Sequence, residues 1–391
     1  MKILFLAHRL PYPPDRGDKI RSFNILKFLS QTHDVVVACP IIAEDERYLE
    51  DIKRYCTAID YVRINALEKY LNLLSALASG RSLSVAAFYN AALQDKITAR
   101  LTKEKFDLIF AFSSQMARYV ENIRSAKRVM DFVDVDSRKW LQLSTWTRNP
   151  VMKWLYRREA DKLAQFEKDI AAGFDRSLFV SESEAQYFSR LAGNGTQVDV
   201  VHNGVDFDYF SPNGGVRNKT DILFTGVMDY YPNVDAVSWF VHKIFPLIKE
   251  QVPVARFWIV GRNPSKAVKR LHDGENVFVT GYVEDVRPYF EKCGVFVAPF
   301  RIACGVQNKI LEALAMGLPV VATPIGAEGL ISDSLPVDIA TCEGDFSRCV
   351  TGFASQGYEH RNGANRSTWV KRYYSWEANL SVIDELITPK P

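Results

Sequence analysis

Arg301, Lys309 and Glu312 are the residues whose types and spacing best suit chemistry. Val295-Phe296-Val297-Ala298 reads as a short buried strand closed by Pro299. Gly305 lets the backbone turn sharply into a helix predicted to begin near Gln307 or Asn308. Ile310, Leu311, Ala313 and Leu314 give that helix an apolar face, and Gly317-Leu318-Pro319 stops it. Free N–H groups at a helix start attract an anion. Cations there oppose the helix dipole, so Arg301 just before the start and Lys309 in the first turn make sense with a diphosphate in the loop. Glu312 follows on the same face as Lys309. Its carboxylate can accept both hydroxyls of a ribose, or it can pair with Lys309, and the spacing leaves both readings open.

Two further stretches carry candidate chemistry. Asp134-Val135-Asp136 has the Asp-x-Asp form of a divalent-metal site, a three-residue signal that nothing else in the chain supports. The favoured reading is that Asp134 and Asp136 close a strand, where a carboxylate orients or deprotonates a hydroxyl. The plainer one is that Asp136 or Ser137 caps the helix carrying Trp140. The loop from His8 to Ser22 follows the first strand, and in an open α/β sheet such loops lie at the edge where ligands bind. Gly17 with Lys19 and Arg21 can hold phosphate there, or the segment is a long connection with solvated charges.

The elements that must position these residues alternate. Apolar runs at Lys2–Ala7, Val35–Cys39, Tyr61–Ile64 and Leu108–Phe112 are separated by helical patterns, which argues for a parallel sheet with covered faces. A second series begins at Asp221–Thr225 before Gly226, continues at Phe257–Val260 before Gly261 and Arg262, and includes Val277–Thr280 before Val283. Asn203-Gly204-Val205-Asp206, followed by a polar stretch over 211–220, marks a domain boundary. A chain of 391 residues suits two domains, and 47% apolar with 24% charged residues suits a globular protein.

Six scattered cysteines without a Cys-x-x-Cys pair fit a reducing compartment, and six histidines show no ligand spacing. Met1–Ala7 is read as a first strand, because its apolar run ends at His8-Arg9, too early for a signal peptide. No run reaches the length of a membrane span, so a cytoplasmic protein is expected. Residues 1–200 hold 30 Lys/Arg against 25 Asp/Glu, and the remainder 19 against 21. That basic half suits an anionic or membrane-borne partner, or nothing in particular. The aromatic and basic mix of Val151–Arg158 can touch the inner face of a membrane, or its helix packs on its own domain. No interleaved basic and aromatic stripe argues for nucleic acid.

The run from Arg301 through Lys309 to Glu312-Ala313-Leu314-Ala315-Met316-Gly317-Leu318-Pro319-Val320-Val321 closely resembles the C-terminal signature of glycosyltransferase family 4. Val198–Asp206 resembles that family's interdomain segment, and Tyr373-Tyr374-Ser375-Trp376-Glu377 its final helix. The resemblance implies the GT-B architecture: two Rossmann-like α/β domains facing a cleft, with a C-terminal helix crossing back to the first. The domains would be 1–200, binding the acceptor, and 201–372, binding the donor, with 373–391 packing back. It implies retaining transfer of a sugar from a nucleotide-diphosphate sugar to a hydroxyl of a glycan or lipid-linked glycan, with no metal and no cofactor. Arg301 and Lys309 would then meet the diphosphate and Glu312 the ribose. The backbone of Gly305, Val306, Gln307 and Asn308 would lie near sugar or phosphate. Gly226, Gly261, Arg262 and Val283 would contact the donor. Gly17 would complete the site from the other domain, where Asp134 would act on the acceptor.

The departures from the family pattern are specific. Val227 and Pro232 stand where many members carry an Arg and a Lys for the diphosphate. Cys304 stands where members usually carry a glutamate on the donor sugar, and a thiol is a poor partner for hydroxyls. The Met228-Asp229-Tyr230-Tyr231-Pro232-Asn233 variant, joined to Gly305-Val306-Gln307-Asn308-Lys309, looks most like sugar transferases of exopolysaccharide clusters associated with exosortase and PEP-CTERM systems. A non-catalytic nucleotide-sugar-binding subunit and a nucleotide-sugar epimerase of the same architecture are the alternatives.

Overall fold

Strands that are apolar along their whole length can only be stable with both faces covered, and that is how this chain folds. The structure, a computed structural model, describes residues 1–193, 195–303, 305–355 and 361–388. The chain divides into two units, Met1–His202 with Glu377–Pro391, and Asn203–Trp376.

The first unit holds β1 (Lys2–Ala7), β2 (Asp34–Ile41), β3 (Ala58–Arg63), β4 (Leu108–Phe112), β5 (Lys127–Val133), β6 (Arg176–Phe179) and β7 (Val198–Val200). They form a parallel sheet in the order β3-β2-β1-β4-β5-β6-β7. The third strand begins three residues before the expected Tyr61, because its register extends back to Ala58, opposite Val36 of β2. The order reverses between β1 and β4, which puts the loops after those strands at the crevice of an open sheet.

The second unit holds β8 (Asn218–Thr225), β9 (Arg256–Val260), β10 (Val277–Gly281), β11 (Cys293–Ala298), β12 (Val320–Ala322) and β13 (Asp338–Ile339), ordered β10-β9-β8-β11-β12-β13. All its pairings are parallel, and the order reverses between β8 and β11. Its core runs from Ile222, Leu223 and Phe224 through Phe257 and Ile259 to the buried face of the helix Asn308–Ala315.

Tyr373 to Glu377 is not one helix, as the family pattern suggested. One helix ends at Tyr373 and the next begins at Trp376, because Ser375 leaves the helical path to bridge Val205, whose N–H bonds the Tyr374 carbonyl at 2.9 Å. The last helix, Trp376–Ile387, buries Leu380, Ile383 and Ile387. The Lys127 ammonium of β5 donates to the carbonyl of Leu386 at 2.7 Å.

Candidate functional site

In the second unit the site is built at the switch between β8 and β11. Gly226 follows β8 and Gly261 follows β9, with φ of 157° and 152°. A Cβ on Gly261 would lie 1.7 Å from the Gly226 carbonyl oxygen, so only glycine lets the two loops touch. The Gly226 N–H bonds the Val260 carbonyl at 3.0 Å, and the Met228 N–H bonds that of Arg262 at 2.8 Å. A Cβ on Gly226 would in turn meet Asn233 Nδ2 at 2.8 Å and Lys309 Nζ at 3.1 Å. That bare backbone therefore faces a lysine.

Lys309 lies in the first turn of the helix Asn308–Ala315, which has no side-chain cap and no acidic residue in that turn. Its ammonium donates to Asn233 Oδ1 at 2.7 Å, and Asn233 Nδ2 donates to the Val227 carbonyl at 2.9 Å. The rings of Phe224 and Phe300 lie 4.9 and 4.8 Å from the ammonium. Burial pushes the Lys309 pKa down to about 7, against the opposing pull of the Glu312 charge. Burial likewise pushes Glu312 up to about 7, against the Lys309 charge. Among the described residues no ion pair joins Lys309 to Glu312 and no hydrogen bond reaches the Glu312 carboxylate. The reading in which Glu312 merely pairs with Lys309 is therefore not what the structure has.

Arg301 is placed differently from Lys309. Its guanidinium grips Asp235 through two hydrogen bonds and lies 5.5 Å from the Trp239 ring centre. Asp235 and Asn233 both belong to the helix Tyr231–Trp239. Asn308 Oδ1 accepts from Asn203 Nδ2 at 2.9 Å. Gly305 takes φ of 65°, and its carbonyl group lies so near Gly329 that a Cβ there would approach to 3.1 Å. Val306 is half-buried against the core, and Gln307 precedes the helix in extended backbone. Val283 follows β10, two strands from β8, with Tyr282 beside it 74% exposed. Cys304 lies outside the described residues.

The first unit has its own cluster of ionisable groups. Gly17 opens the helix Gly17–Leu29, but its basic neighbours are not a phosphate cradle. Lys19 bonds Asp45 at 3.0 Å, with both side chains nearly buried. Arg21 is fully buried, bonded to Asp131 at 2.9 and 3.2 Å and to the Val201 carbonyl at 2.7 Å. Asp18 takes His8 at 3.2 Å, Arg16 at 2.7 Å and Arg9 at 3.3 Å. Burial would raise the Asp18 pKa, but the His8 hydrogen bond and the Arg16 and Arg9 charges outweigh it and hold it well below the usual range.

Asp134 follows β5 just after Val133, which has φ of 67°. Its buried Oδ1 has no hydrogen-bond partner among the described residues. Burial first, then the Glu184 and Asp136 charges, push its pKa well above the carboxylate range, against Lys139 and Arg21. Neither Asp136 nor Ser137 caps the helix Asp136–Trp146. The neighbouring carboxylates do that work: Glu184 accepts from the Val135 N–H at 2.7 Å, and Glu167 from the Ser137 N–H at 3.2 Å. Asp136 instead accepts from Gln115 at 3.1 Å. Among the described residues no three His, Cys, Asp or Glu side chains are grouped to hold a metal.

A switch-point site with glycine backbone on one side and an enclosed lysine at a helix start on the other suits a phosphorylated ligand. Residues 219–346 match the family model for glycosyl transferases group 1. The chain resembles sucrose-phosphate synthase from Thermosynechococcus elongatus at TM-score 0.72 and 15% identity, covering 98% of each chain. It resembles Anabaena HepE in complex with UDP at TM-score 0.71 and 15% identity, covering 99% of each. Two parallel-sheet, Rossmann-like domains are thus shared with GT-B glycosyltransferase structures. An uncharacterized 44.6 kDa protein in the cps region of Klebsiella pneumoniae is 24% identical over 346 residues, 84% of each chain.

The group 1 region contains Gly226, Gly261, Arg262, Val283, Arg301, Gly305, Val306, Gln307, Asn308, Lys309 and Glu312, while Gly17 and Asp134 lie in the first unit. Of the region's residues, Gly226 packs against Gly261 and faces Lys309. Asn233 and Asp235, which hold Lys309 and Arg301, were not foreseen. Their one sequence signal is Pro232 in the first turn of a helix that follows the second unit's first strand. His8 and Asp18 were missed too, although they flank the expected ligand loop.

Proposed function

We propose that the protein is a metal-independent, retaining glycosyltransferase of family 4. It moves a sugar from a nucleotide-diphosphate sugar to a hydroxyl of a glycan or lipid-linked glycan, in exopolysaccharide synthesis of the kind associated with exosortase and PEP-CTERM systems. The observation that carries this is Lys309, an enclosed ammonium in the first turn of an uncapped helix, facing the Gly226 backbone. A lysine so placed opposes the helix dipole and is desolvated, and a diphosphate compensates both costs. The anion takes the helix-start N–H groups of Gly305 to Asn308 and the Lys309 ammonium. Glu312, whose carboxylate has no hydrogen-bond partner among the described residues, accepts the ribose hydroxyls. Anabaena HepE has been seen with UDP and with UDP-glucose, which supports a nucleotide sugar here.

In the transfer, the bond from the anomeric carbon to the diphosphate oxygen breaks and one to the acceptor oxygen forms on the same face. The acceptor proton passes to the leaving phosphate. Fixed cations and N–H dipoles stabilise the charge that develops there. Asp134 would orient the acceptor hydroxyl, and a lipid-linked acceptor would bring the protein to the cytoplasmic face of a membrane. The test is calorimetric titration of UDP, GDP and ADP with and without EDTA, repeated on Glu312→Ala. One nucleotide is expected to bind, indifferent to EDTA and weakened by the substitution. Binding of none of the three, or binding that requires metal, overturns the reading.

A further inference from the structure

The helix Ala66–Ala78 is folded the opposite way from an ordinary surface helix. Leu67, Leu71, Leu74 and Leu77 are 65, 56, 48 and 43% exposed, and Tyr70 flanks them at 59%. At 100° per residue these side chains span an arc of about 120°, a complete apolar face turned to solvent. The side toward the protein carries Ala76, which is buried, Leu73, which is half-buried, and Asn72, whose amide donates to the Tyr89 carbonyl at 2.8 Å. An apolar stripe normally goes inward, since each leucine left in water forgoes its transfer free energy. Here the smaller, more polar side is the one that packs.

The face continues onto a second helix. Arg158, in Pro150–Gly173, donates to the carbonyls of Ala76 at 3.2 Å and Arg81 at 3.0 Å, tying this helix to the end of Ala66–Ala78. One turn before Arg158 stands Trp154, 61% exposed, and one turn further back Val151, 69% exposed. Together the exposed side chains present roughly 700 Å² of apolar surface, more than the largest patch of a typical monomer.

The exposed charges around the patch are mainly basic. Residues 66–82 hold Lys69 and Arg81 against Glu68, which accepts from the Asn90 amide, and residues 142–161 hold Arg148, Lys153, Arg157 and Arg158 against Glu159, which is buried, and Asp161, which pairs with Arg157. These windows sum to +3, the whole of the chain's net charge, so the rest of the chain sums to zero. A second copy seated on this face would set like charges against like, which disfavours a dimer. No helix among the described residues is long and apolar enough to cross a membrane. Leucine and tryptophan ringed by lysine and arginine are the composition of a surface that lies in the headgroup region of an anionic bilayer.

We infer that the first unit docks on an anionic lipid surface through the outer face of Ala66–Ala78 and the start of Pro150–Gly173. This gives the membrane contact proposed above a defined surface, while standing on observations independent of the donor site. The test is flotation of the full-length protein with vesicles of phosphatidylcholine alone or with about one third phosphatidylglycerol. Binding is expected only with phosphatidylglycerol and falling with salt. It should drop at least tenfold in the triple variant Leu67→Gln, Leu71→Gln, Leu74→Gln, and likewise in Arg148→Glu, Lys153→Glu. These positions are exposed, so melting temperature and UDP binding, measured in parallel, should not move. Failure to float with intact nucleotide binding overturns this inference and leaves the donor site standing. Flotation that neither variant weakens overturns it as well. So does a vesicle-free dimer that the glutamine variant dissociates, since the face would then belong to a second copy.

Discussion

Binding of a nucleoside diphosphate should carry a proton with it. In the free site the Lys309 pKa is about 7, because Phe224, Phe300 and the surrounding protein keep water from its ammonium. At pH 8 only about a tenth of the molecules then hold that proton. A phosphate charge at about 4 Å in an effective dielectric of about 20 favours the ammonium by about 4 kcal/mol, or roughly three pKa units. The bound lysine is then fully charged, so binding at pH 8 should take up about 0.9 proton. Between pH 7 and 9 the dissociation constant should rise about fifty-fold. Glu312 works in the other direction below neutrality: its pKa near 7 means a proton must leave before the carboxylate can accept ribose hydroxyls. Affinity should therefore peak near pH 7. Calorimetry at pH 8 in HEPES and in Tris, whose ionisation enthalpies differ, reads the proton uptake directly. Lys309→Arg, charged throughout this range, should flatten the alkaline limb. A wild-type protein that binds UDP with no proton uptake at pH 8 and no loss of affinity to pH 9 would refute the placement of Lys309 at the diphosphate.

Gly261→Ala should be severe, because the new Cβ would lie 1.7 Å from the Gly226 carbonyl oxygen at a φ of 152°. A loss of about 4 kcal/mol or more, or failure to fold, is expected in denaturant melts. Asp134→Asn should separate stability from turnover. Its raised pKa means that the folded state holds the proton above the unfolded value, so stability falls as pH rises through the window from about 4 upward. The amide removes that penalty, and melts at pH 8 should show a gain of about 1–2 kcal/mol, with transfer reduced at least tenfold. Asp235→Asn loosens Arg301 from its carboxylate partner. If that guanidinium reaches the diphosphate, UDP should bind several-fold tighter by titration; unchanged affinity with a lowered melting temperature would make Arg301 a structural residue.

The elements that could be read from sequence are those whose cause is local. β1, β4 and β11 are continuous apolar runs because both faces of their sheets are covered, and no distant partner changes that reading. The helix at Asn308 is set by Gly305 before it and by Gly317 after it, whose φ of 74° ends the helix as glycine usually does. What could not be read depends on partners far along the chain. Lys19 and Arg21 look like loop cations until Asp45 and Asp131, 26 and 110 residues away, take them. Arg301 is gripped by Asp235, 66 residues earlier, a partner that the sequence around Arg301 does not announce. The helix at Ala66 shows the same limit for apolar residues: periodicity establishes that it has an apolar face, and says nothing about which way that face points.

These losses bear on how the site would manage a diphosphate. The positions that carry Arg and Lys in the resembled family are Val227 and Pro232 here, and Arg301 is held by Asp235. One ammonium, itself poised near neutrality, cannot offset the full charge of a leaving diphosphate. The remainder would fall to groups that carry no formal charge, the N–H donors at the start of Asn308–Ala315. Such dipoles are fixed in direction by the fold and need no counterion when the site is empty. The contact between Gly226 and Gly261, which only glycine permits, lies beside the lysine. Loops packed in this way would suit a charge-poor site that does its work by orientation.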